Sequence, residues 1–165
     1  MRLILRLFLF LAVISCGCAA EKRQAAKVFG NMTYYVGNEW SAEPVTLINR
    51  AYHSLSLNIF YDDRFVWGDF NHDGLKDAAV ILEKNSGGSA YSLTLNFLIN
   101  DGKKLIHKAS RRLDDGIEIN RIWQKGGKVF VDMYVHQQSD SADHPARRVK
   151  NAYEYIGPEA FGLTK

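Results

Sequence analysis

From Asn31 onward the apolar residues recur at every second position, and this alternation confines the chain to sheets whose two faces differ. Tyr91, Leu93, Leu95, Phe97 and Ile99 alternate with Ser92, Thr94, Asn96 and Leu98. In the same way Val129, Val131, Met133 and Val135 alternate with Phe130, Asp132, Tyr134 and His136. Successive side chains of a strand point to opposite faces, so each run predicts a strand with one buried face and places Leu93, Leu95, Val129, Val131 and Met133 in the core. Further strand-like runs are Met32–Val36, Val45–Ile48, Leu55–Tyr61, Arg64–Phe70, Ala78–Glu83, Leu105–Leu113, Ile117–Gln124 and Val149–Ile156. Turn residues separate them: Asp62-Asp63, Asn85-Ser86-Gly87-Gly88, Asn100-Asp101-Gly102, Asp114-Asp115-Gly116 and Gly126-Gly127. Asn100-Asp101-Gly102 and Gly126-Gly127 have hairpin chemistry, which predicts antiparallel neighbours. Only Glu43–Ser56 leaves room for a helix. The expectation is a mainly β chain: a single antiparallel domain over 31–165 with hairpins and at most one or two short helices.

The chain has 165 residues, 47% of them hydrophobic and 24% charged, which suits one globular domain and excludes a disordered or collagen-like chain. The aromatics Trp67, Trp123, Phe97 and Phe130 read as core. Arg111-Arg112 and Arg147-Arg148 read as solvated charge, with the option that a basic strip beside a membrane touches anionic headgroups.

The first residues carry an address. Arg2 and Arg6 bracket the start of an apolar run from Leu7 to Ile14 that ends in Ser15-Cys16-Gly17-Cys18-Ala19-Ala20. A run this short cannot cross a hydrocarbon core that needs about 20 residues. A charged start, a short apolar stretch and small residues are the pattern of an export signal, here 1–15. Val13-Ile14-Ser15-Cys16 resembles the lipobox of bacterial lipoproteins, which implies lipidation of Cys16. The other cleavage site would follow Ala20. Gly17 after the cysteine, by resemblance to the bacterial sorting rule, implies the outer membrane and a periplasm-facing protein. Residues 16–30 then form a lipidated N-terminus and tether, with Glu21–Phe29 charged and at most a short helical turn. Without Arg2 and Arg6 the formal charge of +3 falls to +1. That is no electrostatic footprint for nucleic acid, and none is expected as a partner. Both cysteines lie in this segment, so the folded part has neither a disulfide nor a cysteine nucleophile.

Chemistry is concentrated in Gly68-Asp69-Phe70-Asn71-His72-Asp73-Gly74-Leu75-Lys76-Asp77. Asp69, Asn71, Asp73 and Asp77 stand at positions 1, 3, 5 and 9 of a loop with glycine at 6, and the Leu75 carbonyl falls at 7. A hard cation wants six to eight oxygens at once, and this spacing turns alternate side chains inward around it, which predicts a structural Ca²⁺. Position 12 is Val80 instead of Glu and both flanks read as strands, so an EF-hand is excluded. The competing reading is a polar turn held by Asx hydrogen bonds. Three carboxylates in nine residues repel one another without a cation, which favours the ion.

The stretch Gly68 to Val80 resembles the calcium-loop signature of FG-GAP and VCBS repeats. Over about Thr46 to Tyr155 the chain is similar to a family of small exported bacterial lipoproteins of unknown function. The likeness runs through the loop, Gly87-Gly88-Ser89-Ala90-Tyr91, the Asn-Asp-Gly turn, Val131-Asp132-Met133-Tyr134-Val135-His136 and a Pro-containing loop. It implies one envelope domain and not a propeller. The chain departs from it at Ala142-Asp143-His144-Pro145, where relatives commonly carry Cys-Cys-Pro.

A second polar set comprises Asp132, Tyr134 and His136 on one strand face, with Asp140, Asp143 and His144 in the loop beyond. Histidine and aspartate sets bind zinc or exchange protons. Against this, alternate polar residues are what the wet face of an antiparallel sheet shows. Two functions follow. One is a non-catalytic, membrane-anchored envelope lipoprotein whose calcium-stabilised β domain binds an envelope protein or polymer. The other is a small metal-assisted hydrolase using His136 and the Asp140–His144 loop. No nucleophile or zinc spacing is recognisable, which favours the first.

Overall fold

The computed structural model describes residues 19–38, 41–87, 91–135 and 147–157. A helix α1 covers residues 19–29. Among the described residues ten strands follow: β1 (Thr33–Asn38), β2 (Ser41–Thr46), β3 (Ala51–His53), β4 (Asn58–Gly68), β5 (Asp77–Asn85), β6 (Ser92–Asn100), β7 (Leu105–Asp115), β8 (Glu118–Lys125), β9 (Lys128–Val135) and β10 (Arg147–Glu154). They form three antiparallel sheets: a β1-β2 hairpin, a five-stranded sheet in the order β3-β4-β5-β6-β7, and a three-stranded sheet in the order β10-β9-β8. The chain is mainly β, as the alternation predicts.

Two apolar layers flank the five-stranded sheet. On one face Ala79 and Ile81 of β5 and Leu93, Leu95, Phe97 and Ile99 of β6 meet Ile119, Val129, Val131 and Met133 of the three-stranded sheet. On the other, Ala78, Val80 and Leu82 of β5 and Leu98 of β6 meet Ala25 and Phe29 of α1 and Tyr34, Val45 and Leu47. The pleat sends alternate residues of one strand into the two layers, which is why Ala78–Leu82 is a continuous apolar run. The five residues predicted for the core are all buried. Phe97 is buried too, but Trp67, Trp123 and Phe130 are only half-buried. Trp123 and Phe130 stack at 5.3 Å and 12°.

The structure departs from the sequence reading at four places. β6 has two buried faces instead of one, since Asn96 and Leu98 lie under the second layer. Asp62-Asp63 does not end a strand; it is a bulge within a continuous β4, with Asp63 at a φ of 65°. Glu43–Ser56 holds β2 and β3 and no helix. Residues 21–29 are not a tether. They belong to α1, whose Phe29 is fully buried against Tyr61, Phe65 and Trp67 with ring centroids 5.8, 5.5 and 5.4 Å away.

Candidate metal loop and polar constellations

The segment 69–77 joins β4 to β5 and is anchored at both ends. Phe70 drops into the core, its ring edge-on to Phe97 at 5.4 Å. Asp77, fully buried at the first position of β5, accepts the Phe70 N–H on Oδ2 and the Asn100 N–H on Oδ1, both at 2.8 Å. Through these two bonds Asp77 ties the start of the loop to the end of β6. Between these anchors the chain turns through His72 (φ 63°) and Gly74 (φ 83°). Only at the second does glycine remove the cost of a left-handed backbone.

The oxygens that sequence spacing assigns to an ion are arranged as follows. Asp69 accepts the N–H groups of Asp73 and Gly74, each at 3.1 Å. Asn71 accepts the Asp73 N–H at 3.2 Å and donates its amide to Asp73 Oδ2 at 2.7 Å. Asp73 Oδ1 accepts the Leu75 N–H at 2.8 Å. These are the Asx bonds of a polar turn. The donors are the hard oxygens that Ca²⁺ prefers, and every carboxylate oxygen keeps a further lone pair. Among the described residues, however, no three acidic, histidine or cysteine side chains converge tightly enough to hold a metal. Asp69, Asn71 and Asp73 cluster at the exposed tip, and Asp77 lies at the base.

Two other turns meet this loop. Asn100, which opens the β6-β7 turn, also donates its side-chain amide to the Lys76 carbonyl at 3.2 Å. The β8-β9 turn places Gly127 under His72, where a Cβ on that glycine would come within 2.8 Å of the imidazole Cε1. Three turn motifs far apart in the sequence thus gather at one end, and the loop ties the five-stranded sheet to the three-stranded one. Spacing alone shows each turn but not their meeting.

Of the second polar set, Asp132 and Tyr134 are described, and His136, Asp140, Asp143 and His144 lie outside the described residues, as does Cys16. Asp132 is only 3% exposed despite its place on the outer face of β9. Arg148, its neighbour on β10, donates Nε to Oδ1 at 2.8 Å and Nη2 to Oδ2, and Asn120 Nδ2 reaches Oδ2 at 3.1 Å. The Arg148 hydrogen bonds, above all, hold the Asp132 carboxyl down to about 2. The guanidinium carbon lies 6.0 Å from the Tyr134 ring centre. Asp132 is therefore a carboxylate covered by a half-exposed arginine and not the wet-face carboxylate that alternation suggests. Arg148 is its cover, not a freely solvated charge.

A third constellation escapes sequence reading. His107 on β7 is buried; its Nδ1 accepts the Tyr35 N–H at 2.9 Å and its Nε2 meets Ser110 Oγ at 3.0 Å. Ser110 donates to Asn96 Oδ1 at 2.8 Å, and Asn96 Nδ2 donates to the Thr94 carbonyl at 2.9 Å. This chain requires a neutral imidazole with its proton on Nε2. Burial pushes its pKa down to about 4. The one available signal was Asn96, a polar residue in a strand flanked by apolar positions.

Where β4 and β8 run beside each other without pairing, a groove of about 590 Å³ opens, bordered by Glu21, Lys22, Arg64, Trp67, Arg121 and Trp123. Arg64 spans the seam, its Nη2 donating to the Ile119 carbonyl at 3.1 Å. Trp67 Nε1 donates to Glu21 at 3.1 Å, and Lys76 Nζ sits 4.4 Å over the Trp67 ring. The chain matches no family model, no curated protein and no solved structure.

Proposed function

We propose that this chain is a non-catalytic lipoprotein of the bacterial envelope, anchored through Cys16 in the outer membrane facing the periplasm. Its β domain binds another envelope protein or polymer and takes a structural Ca²⁺ in the loop 69–77. The observation that carries the choice of a binding module over a hydrolase is the covering of Asp132. Its carboxylate is covered by Arg148 and Asn120, so the carboxylate that would orient His136 is committed to holding two strands together. Asp77 and His107, buried likewise, are also tied to backbone N–H groups. Among the described residues the groove at the β4–β8 seam is an open surface that a partner could occupy.

The calcium reading is supported by the donor types, by Gly74 at the bend, and by the position of the loop. An ion drawing Asp69, Asn71, Asp73, Asp77 and the Leu75 carbonyl together would stiffen the point where two sheets meet. The test is capture from detergent-solubilised envelope with the tagged full chain, in calcium and in chelator. A specific partner retained by wild type and by the double variant His136→Ala/His144→Ala, and weakened by chelator, is expected. A hydrolytic activity lost in that double variant would replace this reading with the metal-assisted hydrolase.

A further inference from the structure

Helix α1 buries Ala25 and Phe29 in the domain and turns Lys22, Arg23 and Lys27 to solvent. Lys22 also borders the groove at the β4–β8 seam, as does Arg121. Among the described residues Arg64 is matched by Asp62, Lys128 by Glu154 and Arg148 by Asp132. Lys22, Arg23, Lys27 and Arg121 stand in no such pair, and of the acidic side chains lining the groove Glu21 is engaged by the Trp67 indole and Asp63 is paired with Arg50. Lys22, Arg23 and Lys27 thus put three cations within six residues on the exposed side of α1, and Arg121 lines the groove that this helix borders.

We propose that this face, α1 together with the adjoining lip of the groove, rests on the anionic lipid headgroups of the membrane that holds the protein. The inference rests on the reading of Cys16 as the lipidated residue. From Cys16 to residue 19, where the described helix begins, the chain reaches about 11 Å at full extension. Lys22 lies three residues further, about 4.5 Å along the axis. The anchor thus holds Lys22 within about 16 Å of the lipidated residue, close to a surface whose field extends over a Debye length of about 8 Å. A Lys or Arg held near an anionic leaflet multiplies the docked population about fivefold, so three together amount to roughly a hundredfold. The two tryptophans beside the groove suit the headgroup region, where amphipathic rings collect.

The experiment uses the processed full-length protein with vesicles of pure phosphatidylcholine or of phosphatidylcholine with about one-third phosphatidylglycerol. Flotation at high salt reads the anchor, and hydrogen exchange of floated protein at low salt reads the face. Expected is flotation with both vesicles, with exchange slowed in residues 19–29 and in Arg121–Gln124 on anionic vesicles alone. The triple variant Lys22→Glu/Arg23→Glu/Lys27→Glu should lose that protection, reducing the docked population by roughly a hundredfold. The charge-matched control Lys84→Glu/Lys103→Glu/Lys150→Glu, away from α1, should keep it. Flotation with both vesicles but identical exchange would overturn the docked face and leave the anchor standing. Flotation with anionic vesicles alone, reversed by salt and by the triple variant, would support the face and remove the anchor. No flotation with either would overturn both. All substituted residues are at least partly exposed, and unchanged thermal midpoints verify that the variants fold.

Discussion

The imidazole Nδ1 of His107 accepts the backbone N–H of Tyr35 across 72 residues of sequence, fastening the β1-β2 hairpin to the edge strand of the five-stranded sheet. The bond exists only while Nδ1 is unprotonated. His107 titrates at about 4 in the folded chain against 6.5 unexposed to the fold, because burial disfavours the charged ring. The unfolded chain therefore binds the extra proton between these values. The stabilisation is complete above pH 6.5 and is lost as pH falls through 4, a total of about 3 kcal/mol. Urea unfolding from pH 7 to pH 4 should show this slope, and His107→Gln should flatten it. A wild-type profile level across that interval would remove His107 as its source.

Asp132 should respond in a lower window. Its folded pKa of about 2 lies below the usual 3.8, so its contribution is present above the ordinary carboxylate range and lost as pH falls through 2. Arg148→Ala removes the principal cause of the depression and leaves the desolvation that opposes it. Carboxyl titration by NMR should then place Asp132 clearly above its wild-type value, with Asn120 and Lys150 still holding part of the depression. An unmoved value would mean that Arg148 does not hold the charge.

Two buried tyrosines of the same layer should behave oppositely. Tyr34 donates its hydroxyl to the Phe29 carbonyl at the end of α1 at 2.8 Å, and burial pushes its pKa upward. The Tyr61 hydroxyl is buried without a partner. Tyr34→Phe strands a buried carbonyl and should cost about 1–2 kcal/mol, whereas Tyr61→Phe removes an unsatisfied group and should be neutral or stabilising. Equal losses in denaturant unfolding would contradict these two environments.

Truncation separates core from cover. Leu95→Ala should cost about 2–5 kcal/mol and Phe29→Ala about 3–5 kcal/mol, both read as shifts of the thermal or urea midpoint. The second value tests whether α1 is part of the fold, since a tether residue would tolerate the change.

How far the sequence discloses this fold depends on where each strand's partners lie. The alternation of Leu93, Leu95, Val129, Val131 and Met133 shows the layer between the two larger sheets, because those positions are apolar on one side. The second layer is less legible. Its α1 contribution rests on Ala25 and Phe29, with Ala26 partly buried beside them, in a charged stretch whose remaining positions face water. Asp62-Asp63 has turn chemistry, yet Asp62 is held by Arg64 and Asp63 by Arg50, which lets the pair form a bulge instead. The loop 69–77 is legible as a loop because its spacing is local. The covering of Asp132 by Arg148 is not, since the residues are 16 apart and only strand register brings them together.

The most direct measurement on the calcium-stabilised domain is a calorimetric Ca²⁺ titration paired with thermal unfolding in calcium and in chelator, on wild type and Asp73→Ala. With Asp69, Asn71, Asp73, Asp77 and the Leu75 carbonyl as ligands and no twelfth-position glutamate, the dissociation constant should be on the order of 10⁻⁴ to 10⁻³ M. Calcium at ten times that value should add about 1.4 kcal/mol to wild-type stability and nothing to Asp73→Ala. No binding heat and an unchanged wild-type midpoint across that range would contradict the calcium site, leaving residues 69–77 as a turn held by its own Asx bonds.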